Sequence, residues 1–370
     1  MIYEVFLYML FLFGVAGWWL SPKTNNKLFY LCGIYLICIV CLRNKAVGID
    51  TQDYIGFFTS QGGVYGTFKN PNEKLEIGLP FLGHIYQVLG LEKHYYLPYI
   101  FFNGLISTIP FLWLTKKYST NPCFSLFIIF VALRGAFMVI FVAALRQAIS
   151  MSFSLISLYY LREKKAKYKV KFIIASILSV LFHNTGFITA IILICADHLK
   201  LSKRKTYIIL VLVFFISFII TQYGAALFSE TITIINLLTT DRYDYYSTDK
   251  SLDVLDRSVY SICINLILPF IVVYLSSDEK VKNDIFIKMY IFAPSVFLFF
   301  GAFEQISRMV SIYWIIGAIG AFPERKTIQN SKFKVLIIIV SAFMLSRAFL
   351  MYSGADGISN GLAPYKFYWE

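Results

Sequence analysis

The sequence predicts an all-α integral membrane protein that crosses the bilayer many times. Of its 370 residues, 58% are hydrophobic and 15% are charged, whereas a soluble domain has roughly 45–50% apolar and about 25% charged residues. Apolar runs approaching the roughly 20 residues of a spanning helix recur from end to end. Lysine and arginine cluster in the short loops between these runs, which is the pattern of cytoplasmic loops. The net charge of +13 therefore indicates how the chain is oriented in the membrane and not nucleic-acid binding.

The first two spans and the loop after them can be placed from the N-terminus. The apolar run 2–20 lacks a basic start and a small-residue cleavage site, so we interpret it as a span and not as a removed signal peptide. The second span, 28–42, follows the lysine-containing segment 21–27, which we place in the cytoplasm. The loop 43–78 is therefore external. The amphipathic segment 75–91, interrupted by glycine and proline, is predicted to be re-entrant or interfacial.

Two strongly basic segments fix the middle of the chain. Residues 162–171 and 198–205 are both rich in lysine and arginine, so both should be cytoplasmic. The apolar stretch between them must therefore enter the membrane and return, and its polar break is at His183, Asn184 and Thr185. Each limb is about 12–14 residues long, too short for a full crossing, so the turn is predicted to lie below the outer surface. Irregular backbone at that depth is tolerated only where it is buried in protein or lines a wet cavity.

The remaining apolar runs complete a layout of about twelve spans. Residues 123–161 are too long for one span and hold two, with a turn between Arg134 and Arg146. We predict a single membrane domain, 1–370, with both termini outside and the external loops forming the active site. Downstream of the basic segments, the predicted spans are 206–222, 257–275, 289–303, 308–322 and 335–352, with 223–256 as a long external loop and 353–370 as an external tail. Three further basic segments are predicted to be cytoplasmic, and they are 116–117, 276–288 and 323–334.

Charged residues that are costly in a membrane collect on the external side of this layout. Arginine within a span costs at least ~2.5 kcal/mol and usually marks a pathway or a paired site. Each arginine alone is explained as snorkelling at a helix end, but several around one cavity form a fork-shaped receptor for phosphate or pyrophosphate. The arginines assigned to that receptor are Arg146 and Arg308, supported by Arg43 and Arg242.

The base that activates a sugar hydroxyl is predicted to be one of four external groups, His183, Asp53, Asp50 and Glu76. His183 ranks first, because the layout places it below the surface and its unperturbed pKa of about 6.5 suits proton transfer at neutral pH. The alternatives for His183 are a structural role and a hydrogen bond donated to pyrophosphate. Asp53 ranks second, because Asp50 is also explained as the N-cap of a short helix, worth about 1 kcal/mol.

No cofactor and no metal is predicted. The six cysteines lie within or beside apolar runs and form no CxxC pair, so neither a zinc site nor a disulfide framework is supported. The other histidines show no ligand spacing to His183.

An ordered set of short motifs resembles a known family. The motifs are GIDTQDY after Arg43, the segment from Glu76 to Gly78, LRQAIS at 145–150, LFHNTGFI at 181–188, RYDYY at 242–246, and Arg308 to Tyr313. This order is similar to that of the EpsG-like branch of the Wzy oligosaccharide repeat-unit polymerases. Each motif alone is weak, and the order over 43–313 carries the resemblance.

The resemblance implies a GT-C-like fold and a metal-independent glycosyltransferase of the bacterial inner membrane, with its active site on the periplasmic or extracellular side. Such an enzyme takes oligosaccharide repeat units of an O-antigen, capsule or exopolysaccharide on undecaprenyl pyrophosphate. It transfers the growing glycan to the non-reducing end of an incoming lipid-linked unit. The implied partners are these substrates and membrane lipids, with a chain-length regulator as a further candidate. The residues expected to contact substrate are Arg134, Gln147, Asn184, Tyr243, Tyr246 and Tyr313.

Two other classes of protein stay open on the sequence. A flippase or other transporter of lipid-linked oligosaccharides predicts internal repeats and polar residues that reach both faces, and the sequence shows neither pattern. An O-antigen ligase-type glycosyltransferase uses the same lipid carrier, and only the order of the motifs favours a polymerase over it.

Overall fold

The structure is a computed structural model of the chain. The residues that it describes are 2–52, 54–55, 76–91, 96–131, 136–163, 166–219, 259–300, 304–353, 362 and 364–369. Within these ranges the regular secondary structure is helical, and the extended pairing consists of one isolated bridge between Arg43 and Phe367. The predicted all-α class is thereby confirmed for the described part of the chain.

The helices are numbered here in chain order. They are α1 (Ile2–Ala16), α2 (Pro22–Cys41), α3 (Gly78–Val88), α4 (Leu97–Tyr118), α5 (Pro122–Val131), α6 (Ala136–Val142), α7 (Leu145–Arg162), α8 (Ala166–Phe182), α9 (Thr185–His198), α10 (203–219), α11 (Val259–Leu275), α12 (Asp278–Asn283), α13 (Ile285–Phe300), α14 (Glu304–Gly320), α15 (Arg325–Gln329) and α16 (Lys334–Ser353).

The chain divides into two compact units. The first unit contains residues 1–198 and 318–370, and the second contains 199–317. By length and composition, α2 and α4 are the described helices that are long and apolar enough to cross a membrane, and several shorter apolar helices of 10–17 residues accompany them. The predicted count of about twelve spans and the single membrane domain stay predictions.

Some helices begin earlier than the sequence predicts, and side-chain caps explain two of these differences. α2 begins at Pro22 and not at 28, because the Ser21 hydroxyl accepts the Thr24 N–H at 3.1 Å and proline is favourable in the first helical turn. α13 begins at Ile285 and not at 289, because the Asp284 carboxylate accepts the Phe286 N–H at 3.0 Å. A polar flank can therefore be helical, which apolar length alone does not reveal.

The returning hairpin around His183 has the predicted turn but one longer limb. α8 is 17 residues long and α9 is 14 residues long, with the break at His183 and Asn184. The limb of about 12–14 residues predicted for the first half is wrong, because the lysine-rich residues from 166 onward continue the helix. Lysine is a good helix former, so residues 166–171 of the basic segment are part of α8.

The loops at one end of the first unit, which we call the Lys117 end, contact one another. Lys117 pairs with Glu163 at 3.3 Å, and the Thr120 hydroxyl donates to the Pro323 carbonyl at 3.1 Å. The Arg325 guanidinium donates to the Trp18 carbonyl at 3.3 Å. Residues 116–117, 162–171 and 323–334 are all predicted to be cytoplasmic, and these segments lie at the same end of the first unit.

In the second unit, two other segments that are predicted to be cytoplasmic, 198–205 and 276–288, also contact each other. The Lys203 ammonium at the start of α10 donates to the carbonyls of Tyr274 (2.7 Å), in the last turn of α11, and of Ser276 (2.9 Å), just after that helix. The Lys203 N–H donates to the Asp278 carboxylate at 2.7 Å. Residues 198–205 and the segment after 275 therefore lie at one end of this unit.

The closest described helix pair in the first unit, α7 and α8, is joined by a seam of serines. The Ser179 hydroxyl lies 2.9 Å from the Ser150 hydroxyl and 2.8 Å from the Ser154 hydroxyl, and the Ser176 hydroxyl donates to that of Ser157 at 3.2 Å. Small side chains let two helices approach closely, and interhelical hydrogen bonds satisfy polar groups in an apolar environment. The seam fixes the position of Arg146 relative to the His183 turn.

Candidate functional site

Three chain breaks of the first unit converge at the end opposite to Lys117. The loop 47–51 lies on the break between α6 and α7, because a Cβ on Gly48 would be 2.6 Å from the Val142 carbonyl oxygen. Gly48 has a φ of 94°, a conformation that other residues rarely adopt. The loop before α3 reaches the end of α8, because a Cβ on Gly78 would be 2.8 Å from the Leu181 carbonyl oxygen. We call this convergence the Arg146 end.

An ion pair stands at the centre of the Arg146 end. The Arg146 guanidinium, in the first turn of α7, contacts the Glu76 carboxylate at 2.5 Å. The two side chains are 26% and 14% exposed, so the pair is mostly shielded from solvent. At the reduced dielectric of such a position the attraction between two charges exceeds its value in water. The Arg146 Nε is buried and has no hydrogen-bond partner among the described residues.

Tyr54 and Asp50 extend this pair into a small network. The Tyr54 ring centroid lies 5.7 Å from the Arg146 guanidinium, within the range of a cation–π contact. The Tyr54 hydroxyl donates to the Asp50 carboxylate at 3.5 Å. Two acids that the sequence assigns as candidate bases are thus connected to the arginine that it assigns to pyrophosphate, Glu76 directly and Asp50 through Tyr54.

An apolar cluster supports the network from within the protein. Each of the breaks contributes a buried member close in sequence to a polar site residue, so the cluster holds the breaks together. Its members are Tyr54, Leu79, Tyr86, Tyr99, Leu145, Ile149 and Phe182. The position of Arg146 next to Leu145, and of His183 next to Phe182, places both at the edge of this cluster.

His183 forms the corner between α8 and α9 and is half-buried. Its Nδ1 accepts the N–H of Thr185 at 3.3 Å and lies 2.8 Å from the Thr185 hydroxyl. A backbone N–H can only donate, so Nδ1 is the acceptor and the neutral ring carries its proton on Nε2. The arrangement makes Nε2 a hydrogen-bond donor. The neighbouring Asn184 is exposed.

Arg43 is fully buried beneath the C-terminal segment 364–369. Its Nη1 donates to the Val40 carbonyl, while its Nε and Nη2 have no partner among the described residues. Burial lowers the pKa of Arg43 from its ordinary value. The segment is fixed by backbone hydrogen bonds at 2.9 Å, from the Asn44 N–H to the Lys366 carbonyl and from the Tyr368 N–H to the Leu42 carbonyl.

The other predicted site residues divide into two groups. Gln147 and Tyr313 are buried, each with 3% of the residue exposed, the first on α7 and the second on α14. Arg308 lies on α14 in the second unit. The remaining predicted residues lie outside the described part of the chain, and they are Asp53, Arg134, Arg242, Tyr243 and Tyr246. All of the assigned roles stay predictions.

Sequence reasoning missed two features of this end. Tyr54 was not assigned, although it stands four residues after Asp50, the spacing at which side chains on a helical turn meet. The pairing of Glu76 with Arg146 was not predicted, since the two residues were given separate roles. Among the described residues no group of three or more His, Cys, Asp or Glu side chains is arranged to hold a metal ion.

Helices with apolar surfaces, and a shielded arginine–carboxylate pair where helix breaks meet, define a helical membrane protein with a charged site at one end. The sequence model of the EpsG family matches residues 26–367, and the chain belongs to that family. The match includes Glu76, Arg146 and His183 and spans both compact units. The suspected resemblance is thereby confirmed. No curated protein matches, and no solved structure matches.

Membership of the EpsG family identifies the chain as a membrane protein of polysaccharide biosynthesis. It also implies a glycosyltransferase-type activity that polymerises glycans.

Proposed function

We propose that the protein polymerises oligosaccharide repeat units carried on undecaprenyl pyrophosphate. It would do so at the outer face of the bacterial cytoplasmic membrane, within a GT-C-like fold of about twelve spans, and without a metal. The growing glycan would pass from its lipid carrier to the non-reducing end of an incoming lipid-linked unit. The observation that carries the proposal is the shielded Glu76–Arg146 pair where the helix breaks of an EpsG-family chain converge.

Arg146 is the proposed receptor for the pyrophosphate. Its guanidinium offers several N–H donors in a planar fork, and its buried Nε has no partner among the described residues. In the resting protein Glu76 balances its charge, so the cation is held in place without a ligand. When pyrophosphate binds, its oxygens compete with the Glu76 carboxylate for the same donors. The arginine then stabilises the negative charge that develops on the leaving pyrophosphate.

His183 is the proposed second donor to the pyrophosphate. Its Nδ1 accepts the Thr185 N–H, so the neutral ring carries its proton on Nε2, and an Nε2–H is a hydrogen-bond donor. This arrangement favours the donor alternative over the base that the sequence ranks first. A carboxylate is then the proposed base, and Glu76 is the described one that pyrophosphate would release from its arginine. Asp53 is the alternative base.

The test of this function uses purified protein in lipid nanodiscs and a synthetic lipid-linked repeat unit. We expect a ladder of polymers from the wild type, loss of the ladder from Arg146→Lys, and a normal ladder from Arg162→Lys. Arg162 is a matched control, since it lies at the other end of α7 and contacts the Tyr118 ring at 4.9 Å. Lysine keeps the charge but not the planar fork.

Three outcomes would contradict the proposal. A full ladder from Arg146→Lys would remove the arginine from the reaction. Movement of the intact lipid between leaflets, without a ladder, would indicate a flippase. Transfer of the glycan only to an acceptor other than a repeat unit would indicate a ligase.

A further inference from the structure

An apolar groove opens on the surface of the first unit between α3, α4 and α7. Its volume is about 540 Å³, and residues on its walls include Leu82, Tyr86, Phe102, Ile109, Phe153 and Ile156. Ligand cavities of about 300–1,000 Å³ are typical of sites that bind small molecules. The groove is therefore large enough to hold part of an extended molecule.

The polar groups around this groove are occupied by other parts of the protein. The Ser152 hydroxyl donates to the Ser107 carbonyl. The Tyr86 hydroxyl donates to the Asn103 side chain at 3.3 Å. Neither group needs a partner from a ligand, so the groove favours a hydrocarbon over a polar molecule.

The groove and the charged site share one face of α7 and one apolar cluster. Phe153 follows Arg146 by seven residues on α7, so the two lie on one face of the helix and about 10 Å apart along its axis. Tyr86 belongs to the cluster that supports Arg146, and Phe153 stacks on Phe182 of the same cluster with ring centroids 5.6 Å apart. A molecule with a charged group at Arg146 could extend its apolar part along this face.

Along the membrane normal, the groove lies at the same height as the apolar helices α2 and α4. Gly104 of α4 packs against Cys41 at the end of α2, and Gly33 of α2 packs against Leu112 further along α4. The groove residues Phe102 and Ile109 are therefore at the same height as the last turns of α2, a helix apolar enough to cross a membrane. At this depth the groove would face the hydrocarbon of the leaflet nearest the Arg146 end.

We propose that this groove binds the polyprenyl chain of the lipid carrier, with the isoprene units next to the pyrophosphate lying between α4 and α7. The inference rests on the proposed function, because it takes the anion at Arg146 to be the head of that carrier. A linear hydrocarbon chain with an anionic end matches an apolar groove that lies along the helix that carries Arg146. In this proposal the groove recognises the hydrocarbon chain of the carrier, and the external loops contact the sugars.

The test is photo-crosslinking in nanodiscs with a polyprenyl pyrophosphate that carries a photoreactive group in its first isoprene units. We expect labelling of α4 and α7, competed by unlabelled polyprenyl pyrophosphate and not by added phospholipid. Ile109→Trp and Ile156→Trp fill the groove from opposite walls, and each should lower the labelling about tenfold. Ile34→Trp on α2 is the control, because Ile34 is exposed and does not line the groove.

Unchanged labelling in both groove variants would overturn the inference, and so would equal competition by phospholipid, which would make the groove a site for ordinary membrane lipid. The proposed function is separated by a second substrate whose pyrophosphate carries a methyl group in place of the prenyl chain, so that no isoprene unit reaches the groove. The groove variants should polymerise this substrate as the wild type does. If the wild type polymerises neither substrate but labelling behaves as expected, the proposed function fails and the groove assignment survives.

Discussion

Arg146 and Glu76 are the residues on which the proposed chemistry depends. Their contribution to the stability of the fold can be separated from their contribution to activity. Glu76→Ala leaves a mostly shielded guanidinium without its anion, and we expect a loss of about 1–3 kcal/mol in the free energy of unfolding. This is less than the 3–5 kcal/mol for a fully buried pair, because both side chains are partly exposed. The double variant Glu76→Leu with Arg146→Met should recover most of the stability and remain inactive.

Thermal unfolding in detergent, together with the ladder assay, measures both effects. The control is Glu163→Ala, which removes the partner of Lys117 in a more exposed pair. That change should cost at most about 1 kcal/mol and leave the ladder intact. Recovery of activity in the double variant would show that the pair is a structural element and not part of the reaction.

His183 gives a second prediction at the residue scale. Glutamine can accept the Thr185 N–H through its carbonyl oxygen and donate through its amide, whereas alanine can do neither. We expect His183→Ala to lower kcat about 10²-fold, the effect of removing one donor from a charge-stabilising site, and His183→Gln to restore most of the rate. If glutamine is as inactive as alanine, and the acidic limb of the pH–rate profile disappears with it, the histidine is the base.

At the scale of elements, the C-terminal segment 364–369 acts as a cover for Arg43. The Tyr365 hydroxyl donates to the Ile39 carbonyl at 2.9 Å, its ring packs on Tyr3 with centroids 5.5 Å apart, and Phe367 forms the bridge with Arg43. Removal of residues 364–370 should lower the free energy of unfolding by about 2–3 kcal/mol, through the apolar surface of Tyr365 and Phe367 that returns to solvent.

The same truncation should make Arg43 accessible to an arginine-specific reagent, which mass spectrometry detects. Lys366→Ala is the matched control, because only the backbone carbonyl of Lys366 takes part in the pairing. If Arg43 in the truncated protein stays unmodified by the reagent, as in the wild type, the segment does not cover it.

The sequence predicts the breaks between helices better than the contacts between them. The turn at His183 and the break before Arg146 follow from polar residues inside apolar runs, where the chain cannot stay in hydrocarbon. The pairing of Glu76 with Arg146 does not follow, because the residues are 70 positions apart and nothing local links the loop before α3 to α7. The cover over Arg43 was missed because the residues that meet there are far apart in the sequence, as with Tyr365 and Ile39, which are 326 positions apart.

For the whole molecule, the uneven distribution of lysine and arginine among the loops is the sequence feature that best predicts which loops lie together. Loops that the bias places on one side of the membrane meet in the structure, from Lys117 with Glu163 in the first unit to Lys203 with Asp278 in the second. The bias works because lysine and arginine are retained on the cytoplasmic side during insertion, independently of the details of packing. The charge bias predicts on which side of the membrane each loop lies, but it does not predict which side chains form pairs.

The orientation of the whole chain is tested by labelling single cysteines with a membrane-impermeant maleimide in a background without native cysteines. Lys167→Cys and Lys205→Cys lie at exposed positions within the two basic segments, and we expect both to react only after the cells are permeabilised. Lys366→Cys, exposed on the segment that covers Arg43, should react in intact cells. If Lys167→Cys and Lys205→Cys react from opposite sides, the chain between them crosses the membrane once, His183 is not at a returning turn, and the proposed place of its imidazole beside an external pyrophosphate fails with it.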